Sequence, residues 1–229
     1  MSAKRSIVVL AAAAIAAVGT AVALRPAIAR MRRSFETSSS PSARAYDLLA
    51  GAVLGGYYDD IAADCAATLD VAGVQSPSIL EIGPGPGHLA ERLLDLLPGA
   101  RWTGIDIDAS MLETADAKLR GRDRADRATL VEADVAALPF ADDVFDLAVT
   151  SFSAHHWPDP GAGFAEIRRV LRPGGVALVF DFPVAWGRFE TGSAGTDGAH
   201  AVFEAPQTSR FRGIGPWSVV RRVELAKPA

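Results

Sequence analysis

From residue 43 onward, the apolar residues switch between a helical spacing and the short runs that are typical of strands. Over 43–69 they recur every three or four positions, which predicts helical structure. Gly55-Gly56 lies in the middle of this stretch, and the low helix propensity of glycine predicts a break into two helices there.

Beyond residue 77, short apolar runs alternate with helical stretches of about ten residues. Strands are predicted at 78–82, 102–107, 128–132, 144–150, 176–182 and 217–225. Helices are predicted at 88–97, at 110–119 and from 160 to a stop at 173–175. Ser110 is expected to open the second of these through a capping box, and Asp159 to cap the third.

This alternation predicts an α/β fold, with a parallel sheet covered by helices on both faces. The stretch 187–208 is rich in glycine and is expected to be a loop. No internal repeat is visible, so a single domain over 43–229 is the simplest organisation.

Residues 6–24 form an uncharged run, SIVVLAAAAIAAVGTAVAL, with basic residues on both sides. As a helix it would be about 28 Å long, close to the ~30 Å hydrocarbon core of a bilayer. We interpret it as an uncleaved single-pass transmembrane helix, with the rest of the chain facing the cytoplasm. A cleaved secretory signal and an Ala-rich helix that does not insert are the alternatives.

The signal-peptide alternative depends on Ala-Ile-Ala at 27–29, a small-residue cleavage pattern. The apolar run is long for a signal, however, and three arginines directly after the pattern would hinder translocation. The predicted organisation is a membrane anchor or signal-like segment at 1–33, a polar linker at 34–42 and the domain at 43–229.

Charge is divided unevenly along the chain. The formal net charge is −4, yet residues 1–33 hold six basic residues and no acid, which leaves −10 for the remainder. Residues 34–229 are therefore strongly acidic, which argues against a nucleic-acid partner because nucleic-acid backbones are bound by basic surfaces. Cys65 is the single cysteine, which excludes an internal disulfide and a multi-thiolate metal site, and its spacing fits the buried face of a helix.

The segment EIGPGPGHL, residues 81–89, has three glycines at alternate positions directly after the first predicted strand. Glycine lets a backbone approach a ligand closely. In parallel α/β sheets, ligands bind at the carboxyl ends of the strands, where the strand order reverses. The dinucleotide pattern G-x-G-x-x-G requires its third glycine at position 88, but this residue is His88, so the loop favours a ligand other than NAD.

Five ordered segments resemble the class I S-adenosylmethionine-dependent methyltransferases, of the type 11 or quinone-methyltransferase-like kind. They are ILEIGPGPGHLAERL, WTGIDIDASML, VEADVAALPF, FDLAVTSFSAHHWPDP and RVLRPGGVALVFDF. The resemblance implies a doubly wound, mostly parallel, seven-stranded Rossmann-like sheet with an N-terminal helical lid. It also implies S-adenosylmethionine as cofactor, with no metal.

The resemblance assigns roles to the residues of the first two segments. Glu81 would lie near the ammonium of the cofactor's amino acid tail. Gly83, Gly85 and Gly87 would let the tail and ribose lie against backbone, and Asp106 would accept hydrogen bonds from both ribose hydroxyls. The alternative is a purely structural role, in which Asp106 only caps the turn that follows.

Further residues would surround the adenine and the methyl group. Ile107 and Met111 would sandwich the adenine, Asp134 would accept from its exocyclic amine, and the Val135 backbone would read the ring edge. Ser151 and Phe152 would line the methyl-transfer site from the end of the fourth strand. Asp134 has the same alternative role as Asp106, that of a turn cap.

His155 and His156 are the candidates for a general base, which is needed only if the acceptor must lose a proton. Of two adjacent residues only one is expected to point inward, and we favour His156. Either could instead be a structural loop histidine. Tyr46, Tyr57 and Tyr58 lie on the helices expected to form the lid, where core packing is the alternative.

The sequence therefore predicts methyl transfer from S-adenosylmethionine to a small or lipid-like acceptor, at an O, C or N atom. Residues 6–24 would tether the domain to the membrane. The alternatives are a membrane-tethered module that binds S-adenosylmethionine without catalysis and an NAD-type oxidoreductase. The acceptor and the oligomeric state are left open.

Overall fold

The computed structural model describes residues 43–120, 124–181, 203, 207–211 and 220–228. The predicted anchor at 6–24 and the linker at 34–42 lie outside these ranges. Within them, no helix combines the length and the apolar character needed to cross a membrane.

The described ranges contain one sheet and four α-helices. The strands are β1 Ser78–Ile82, β2 Arg101–Asp106, β3 Ala128–Glu132, β4 Phe145–Ser151, β5 Leu171–Asp181, β6 Gln207–Phe211 and β7 Val220–Ala226. The helices are α1 Ala43–Val71, α2 His88–Leu96, α3 Ala109–Leu119 and α4 Pro160–Val170.

The strand order is β3-β2-β1-β4-β5-β7-β6. Neighbours among β1 to β5 pair in parallel, whereas β7 pairs antiparallel with both β5 and β6. The sheet is therefore mixed, with its parallel part doubly wound about β1. The strand order reverses between β1 and β4, so the loops after these two strands flank the crevice where such sheets bind ligands.

Helices cover both faces of the sheet, as the alternation predicts. Phe164 and Ile167 of α4 are buried in a cluster on one face. Ile61 of α1 and Leu89 and Leu93 of α2 are buried in a cluster on the other. The loops between strands and helices are thereby held at the edges of a rigid core.

The predicted break at Gly55-Gly56 is wrong, because α1 runs without interruption from Ala43 to Val71. The Arg92 guanidinium of α2 donates a hydrogen bond to the Gly55 carbonyl at 3.3 Å. One turn earlier, a Cβ on Gly51 would lie 2.9 Å from His88 Cε1. Tertiary contacts with α2 outweigh the low helix propensity of these glycines, and the missing side chain of Gly51 leaves room for the His88 ring.

Element boundaries differ from the predictions where a nearby group competes. Asp108, not Ser110, caps α3 and accepts from the Ser110 N–H at 2.9 Å. Asp159 caps α4 as predicted. That helix ends at Val170, and β5 begins at once and includes the Pro173 to Gly175 stretch that was expected to be a stop. β6 was missed, since it is a short edge strand that pairs with β7 alone.

Candidate cofactor and methyl-transfer site

The glycine loop connects β1 to α2 in a conformation that requires glycine. Gly83, Gly85 and Gly87 have φ angles of 68°, 51° and 81°, in the left-handed region. The Gly83 N–H donates to the Ile105 carbonyl at 2.8 Å. A Cβ on Gly83 would lie only 2.1 Å from Ser153 Oγ. The loop is therefore in close contact with the segment that follows β4.

Glu81 is a buried acid at the end of β1, directly before this loop. Its Oε2 accepts from Trp102 Nε1 at 2.9 Å, while its Oε1 is buried without a hydrogen-bond partner in the described part of the chain. Burial raises the pKa of Glu81 to about 8, although the Trp102 hydrogen bond acts in the opposite direction. An orphaned, buried carboxylate oxygen is a suitable partner for an ammonium group.

Asp106 connects the end of β2 to the glycine loop. Its Oδ2 accepts from the Gly85 N–H at 3.3 Å, and its Oδ1 accepts from the Asp108 N–H at 3.0 Å. Partial burial raises its pKa, and the bonds from backbone N–H groups oppose this rise. Asp106 is thus more than a cap of the next turn, because it holds the glycine loop and stays half-exposed beside it.

The residues expected around adenine are less uniformly placed. Ile107 is 72% exposed and Met111 is half-buried, so both side chains are accessible. Asp134 is exposed and its Oδ1 accepts from the Ala136 N–H at 2.9 Å, which is the turn-capping role. Val135 is buried against the core. Ser151 is buried at the end of β4.

The chain leaves β4 through a strained residue. Phe152 has a φ of 55°, which is rare for a residue with a side chain. Its N–H donates to the Phe180 carbonyl at 2.8 Å, and its ring meets those of Tyr57 and Tyr58 edge-on at 6.0 Å. These contacts offset the strain and fix the direction of the following turn.

That turn, Ala154–His156, places the two histidines in different surroundings. His155 Nδ1 lies 2.9 Å from Oδ1 of Asp181, a buried acid at the end of β5. His156 is exposed, and its ring centroid lies 3.9 Å from that of His155. Desolvation and the neighbouring His155 lower the pKa of His156. The contact with a buried carboxylate favours His155, whereas the sequence led us to prefer His156.

Helix α1 covers this region through its aromatic residues. Tyr58 is buried and stacks on His88 with ring centroids 5.5 Å apart. Tyr57 is half-buried, and its hydroxyl has no hydrogen-bond partner within the described ranges. Asp47 of α1 also forms an ion pair with Lys118 and lies 2.9 Å from His88 Nε2. The helix is thus attached to both α2 and α3 beside the glycine loop.

Sequence reasoning missed three residues of the site: Trp102, Ser153 and Asp181. Asp181 carried the strongest signal, as an acid inside the apolar run VALVFDF at the carboxyl end of a predicted strand. Trp102 contacts Glu81 and Ser153 contacts Gly83 across different strands and loops. Local sequence patterns do not predict contacts between such distant residues.

Known proteins match this chain over the part that contains the glycine loop and β4. Residues 80–179 match the model of a family described as a methyltransferase domain. The ubiquinone/menaquinone biosynthesis C-methyltransferase UbiE of Paracoccus denitrificans is 42% identical over 104 residues, or 45% of this chain and 42% of that protein. The demethylmenaquinone methyltransferase of Thermus thermophilus is 37% identical over 116 residues, or 50% of this chain and 52% of that protein.

Solved structures share the fold at lower identity. A protein from Methanococcus maripaludis, described as a candidate S-adenosyl-L-methionine-dependent methyltransferase, has a TM-score of 0.61 at 18% identity and covers 82% of this chain and 92% of its own. The [4+2]-cyclase SpnF has a TM-score of 0.56 at 18% identity, and the match covers 67% of this chain and 76% of the cyclase. At this identity the structures show the fold alone.

The chain spans about half the length of the curated relatives that it matches. The span matched by the family model contains the glycine loop and the acids at the carboxyl ends of β1 and β2. Residues 80–179 thus match a methyltransferase domain, and in this span the chain resembles the class I S-adenosylmethionine-dependent methyltransferases.

Proposed function

We propose that this chain transfers a methyl group from S-adenosylmethionine to a small or lipid-like acceptor. The observation that carries the proposal is the grouping of a glycine loop, a buried acid with an orphaned oxygen and a second acid at the point where the strand order reverses. In this grouping, Glu81 suits an ammonium and Asp106 suits a diol, and both groups belong to the cofactor.

The other proposed contacts with the cofactor involve backbone or side chains that are accessible beside the glycine loop. The backbone at Gly83 and Gly85 would lie against the tail and ribose, and Asp106 would accept from the ribose hydroxyls. Ile107 and Met111 would cover the adenine. His88 fills the position of the third dinucleotide glycine and is packed on Tyr58, which disfavours the NAD alternative.

Asp134, Val135 and Ser151 complete the proposed pocket. The exposed Asp134 carboxylate is accessible to the adenine amine, even though one of its oxygens caps a turn. The Val135 backbone would meet the adenine edge, since its side chain is committed to the core. Ser151 would border the methyl-transfer site.

When bound, the cofactor supplies an electrophilic methyl group on a positively charged sulfur. The protein's task is to orient the acceptor in line with this group and to exclude water. Helix α1 lies beside the glycine loop and can serve the second task. A side chain that takes a proton is required only for acceptors that must lose one.

The acceptor proposed here is quinone-like, because the relatives named above act in ubiquinone and menaquinone biosynthesis. The same fold occurs in a [4+2]-cyclase, so the fold is compatible with other activities. The second candidate is a chain that binds S-adenosylmethionine without transferring its methyl group. Turnover separates the two. We expect label from S-adenosyl-[methyl-³H]methionine to enter a compound of a cell lipid extract, and binding without such transfer would favour the second possibility.

We further propose that residues 6–24 anchor the chain to a membrane, with the domain in the cytoplasm. Full-length protein should then sediment with membranes, whereas a chain that begins at residue 43 should stay in the supernatant. The expectation rests on the length and charge-free character of the run. Recovery of a mature protein that begins at Arg30 from an exported fraction would instead support a cleaved signal.

Replacement of Asp106 tests the ribose contact. Asp106→Ala should weaken S-adenosylhomocysteine binding at least about tenfold, since each hydrogen bond to a charged group contributes roughly 1.5–3 kcal/mol. Calorimetric titration measures this change. Asp108→Ala is the matched control, because it loses the α3 cap at a cost of about 1 kcal/mol of stability but should keep the affinity. Equal binding by Asp106→Ala and wild type would remove Asp106 from the site.

A further inference from the structure

Asp181 lies at the carboxyl end of β5, beside the turn that carries both histidines. Its Oδ2 accepts from the His155 backbone N–H at 3.1 Å, and its two oxygens lie 2.9 and 3.0 Å from His155 Nδ1. The Asp181 side chain is fully buried, whereas that of His155 is 28% exposed. The pair therefore has one end in the core and the other at an accessible surface.

This contact determines which ring nitrogen of a neutral His155 carries the proton. A carboxylate only accepts hydrogen bonds, so Nδ1 must be the donor and Nε2 is left as the acceptor. The bond from the backbone N–H fixes the carboxylate, and the carboxylate in turn fixes the ring. His155 is thus held in the tautomer that can take a proton at Nε2.

The pair also lies on the segment that touches the glycine loop. Ser153 precedes His155 by two residues. A Cβ on Gly83 would lie 2.1 Å from the Oγ of Ser153. The His156 N–H donates to the Ser153 carbonyl at 2.9 Å, which closes the turn. The turn that carries His155 is therefore packed directly against the proposed cofactor loop.

We propose that His155 is the general base of this site, that Asp181 is its positioning residue, and that the acceptor is one that must lose a proton. The inference rests on the proposed methyl transfer. It selects an acceptor with an acidic hydroxyl, such as a hydroquinone, over an amine that is already neutral. The acceptor's O–H bond breaks and its proton goes to Nε2. The released electron pair bonds to the methyl carbon either from oxygen or, after delocalisation, from the adjacent ring carbon, whose own proton then moves to the oxygen to restore the aromatic ring. The pair of the broken carbon–sulfur bond stays on sulfur.

Asp181→Asn is the most discriminating variant for the role of Asp181. It keeps the shape of the side chain but reverses the direction of the hydrogen bond with His155 Nδ1. The His155 backbone N–H requires an acceptor, so the amide oxygen should turn to it and the amide NH₂ should face Nδ1. Nδ1 then accepts and Nε2 carries the proton, which removes the base. A comparable tautomer change explains the large loss of turnover when a triad aspartate is replaced by asparagine.

The test uses 1,4-dihydroxynaphthalene as acceptor and the full chain. Both Asp181→Asn and His155→Ala should lower kcat at least about 100-fold, the usual scale for a general base. The KM for the acceptor and the affinity for S-adenosylhomocysteine should stay within about threefold. Asp146→Asn is the matched control, because Asp146 also accepts from a backbone N–H, that of Ser78, but at the amino-terminal end of β4. Its kcat should stay at the wild-type value.

A second readout does not depend on turnover. Long-range ¹H–¹⁵N spectra of the histidines should show His155 as the Nδ1–H tautomer in the wild type and as the Nε2–H tautomer in Asp181→Asn. An Nε2–H tautomer in the wild type, an Asp181→Asn variant that keeps its kcat, or a loss of kcat in His156→Ala but not in His155→Ala would each overturn the proposal.

The proposed function and the proposed base fail in different ways. If the wild type binds S-adenosylhomocysteine but methylates neither 1,4-dihydroxynaphthalene nor any compound of a lipid extract, the proposed function is wrong. If it methylates a compound of the extract and Asp181→Asn does so equally well, only the inference about the base is wrong.

Discussion

Glu81→Gln should stabilise the protein at alkaline pH and at the same time strongly weaken cofactor binding. The folded-state pKa of Glu81 is raised from 4.5 to about 8 by burial. The stability that a neutral side chain provides here is therefore complete below pH 4.5 and is lost in the wild type as pH rises toward 8. The substituted amide would stay neutral at every pH, and its oxygen can still accept from Trp102 Nε1.

The measured quantity is the difference in unfolding free energy between the variant and the wild type. It should be small at pH 4.5 and grow to about 5 kcal/mol by pH 9, since the pKa rises from 4.5 to about 8 and one pKa unit corresponds to ~1.4 kcal/mol. Affinity for S-adenosylhomocysteine should fall by about 100-fold or more, because the ligand's ammonium favours the ionised form of Glu81 and an amide has no such form. Urea denaturation across the pH range and calorimetry measure the two effects.

Glu132→Gln serves as the control, because it removes the same charge from an exposed position at the end of β3. It should change neither the affinity nor the pH dependence of stability. A Glu81→Gln variant that binds like the wild type, or whose stability difference does not vary with pH, would show that Glu81 is not the ammonium partner.

Gly83→Ala should reduce cofactor affinity by about 100-fold or more while the sheet stays folded. The new Cβ would lie 2.1 Å from Ser153 Oγ and 2.7 Å from Ser153 Cβ, at a φ of 68°. Either the glycine loop or the turn that carries His155 must move to relieve this overlap. The backbone that would lie against the cofactor then no longer has the geometry on which binding depends.

Gly73→Ala separates the overlap from backbone strain alone. Gly73 has a φ of 72° and open space around its added Cβ, so its replacement should cost about 1 kcal/mol of stability and no affinity. Adding Ser153→Gly to Gly83→Ala removes the clashing atoms and should restore part of the affinity. Wild-type binding by Gly83→Ala would exclude the loop from the site.

The parts that the sequence predicts correctly depend on local pattern. Apolar runs that alternate with helical spacing specify a parallel sheet covered on both faces, because each period matches one element. The Glu81 to Gly87 stretch is recognisable because a turn with three left-handed residues needs glycine. Asp159 followed by Pro160 starts α4 by purely local hydrogen bonding.

The remaining features depend on contacts between distant residues. The continuity of α1 through Gly55 involves Arg92, which is 37 residues away. The preference for His155 over His156 depends on Asp181, which is 26 residues further along and lies on another strand. β6 depends on β7 for its only pairing in the described sheet. Local periodicity cannot decide such cases, because the competing local signals are weak and tertiary contacts outweigh them.

Every role proposed for these residues requires that the glycine loop with Glu81 and Asp106 binds S-adenosylmethionine. Calorimetric titration of the full chain at neutral pH, with S-adenosylhomocysteine and NAD⁺ in parallel and without added metal, measures this binding. We expect saturable heat at one equivalent of S-adenosylhomocysteine and no heat with NAD⁺. Saturable heat with NAD⁺ and none with S-adenosylhomocysteine would contradict it.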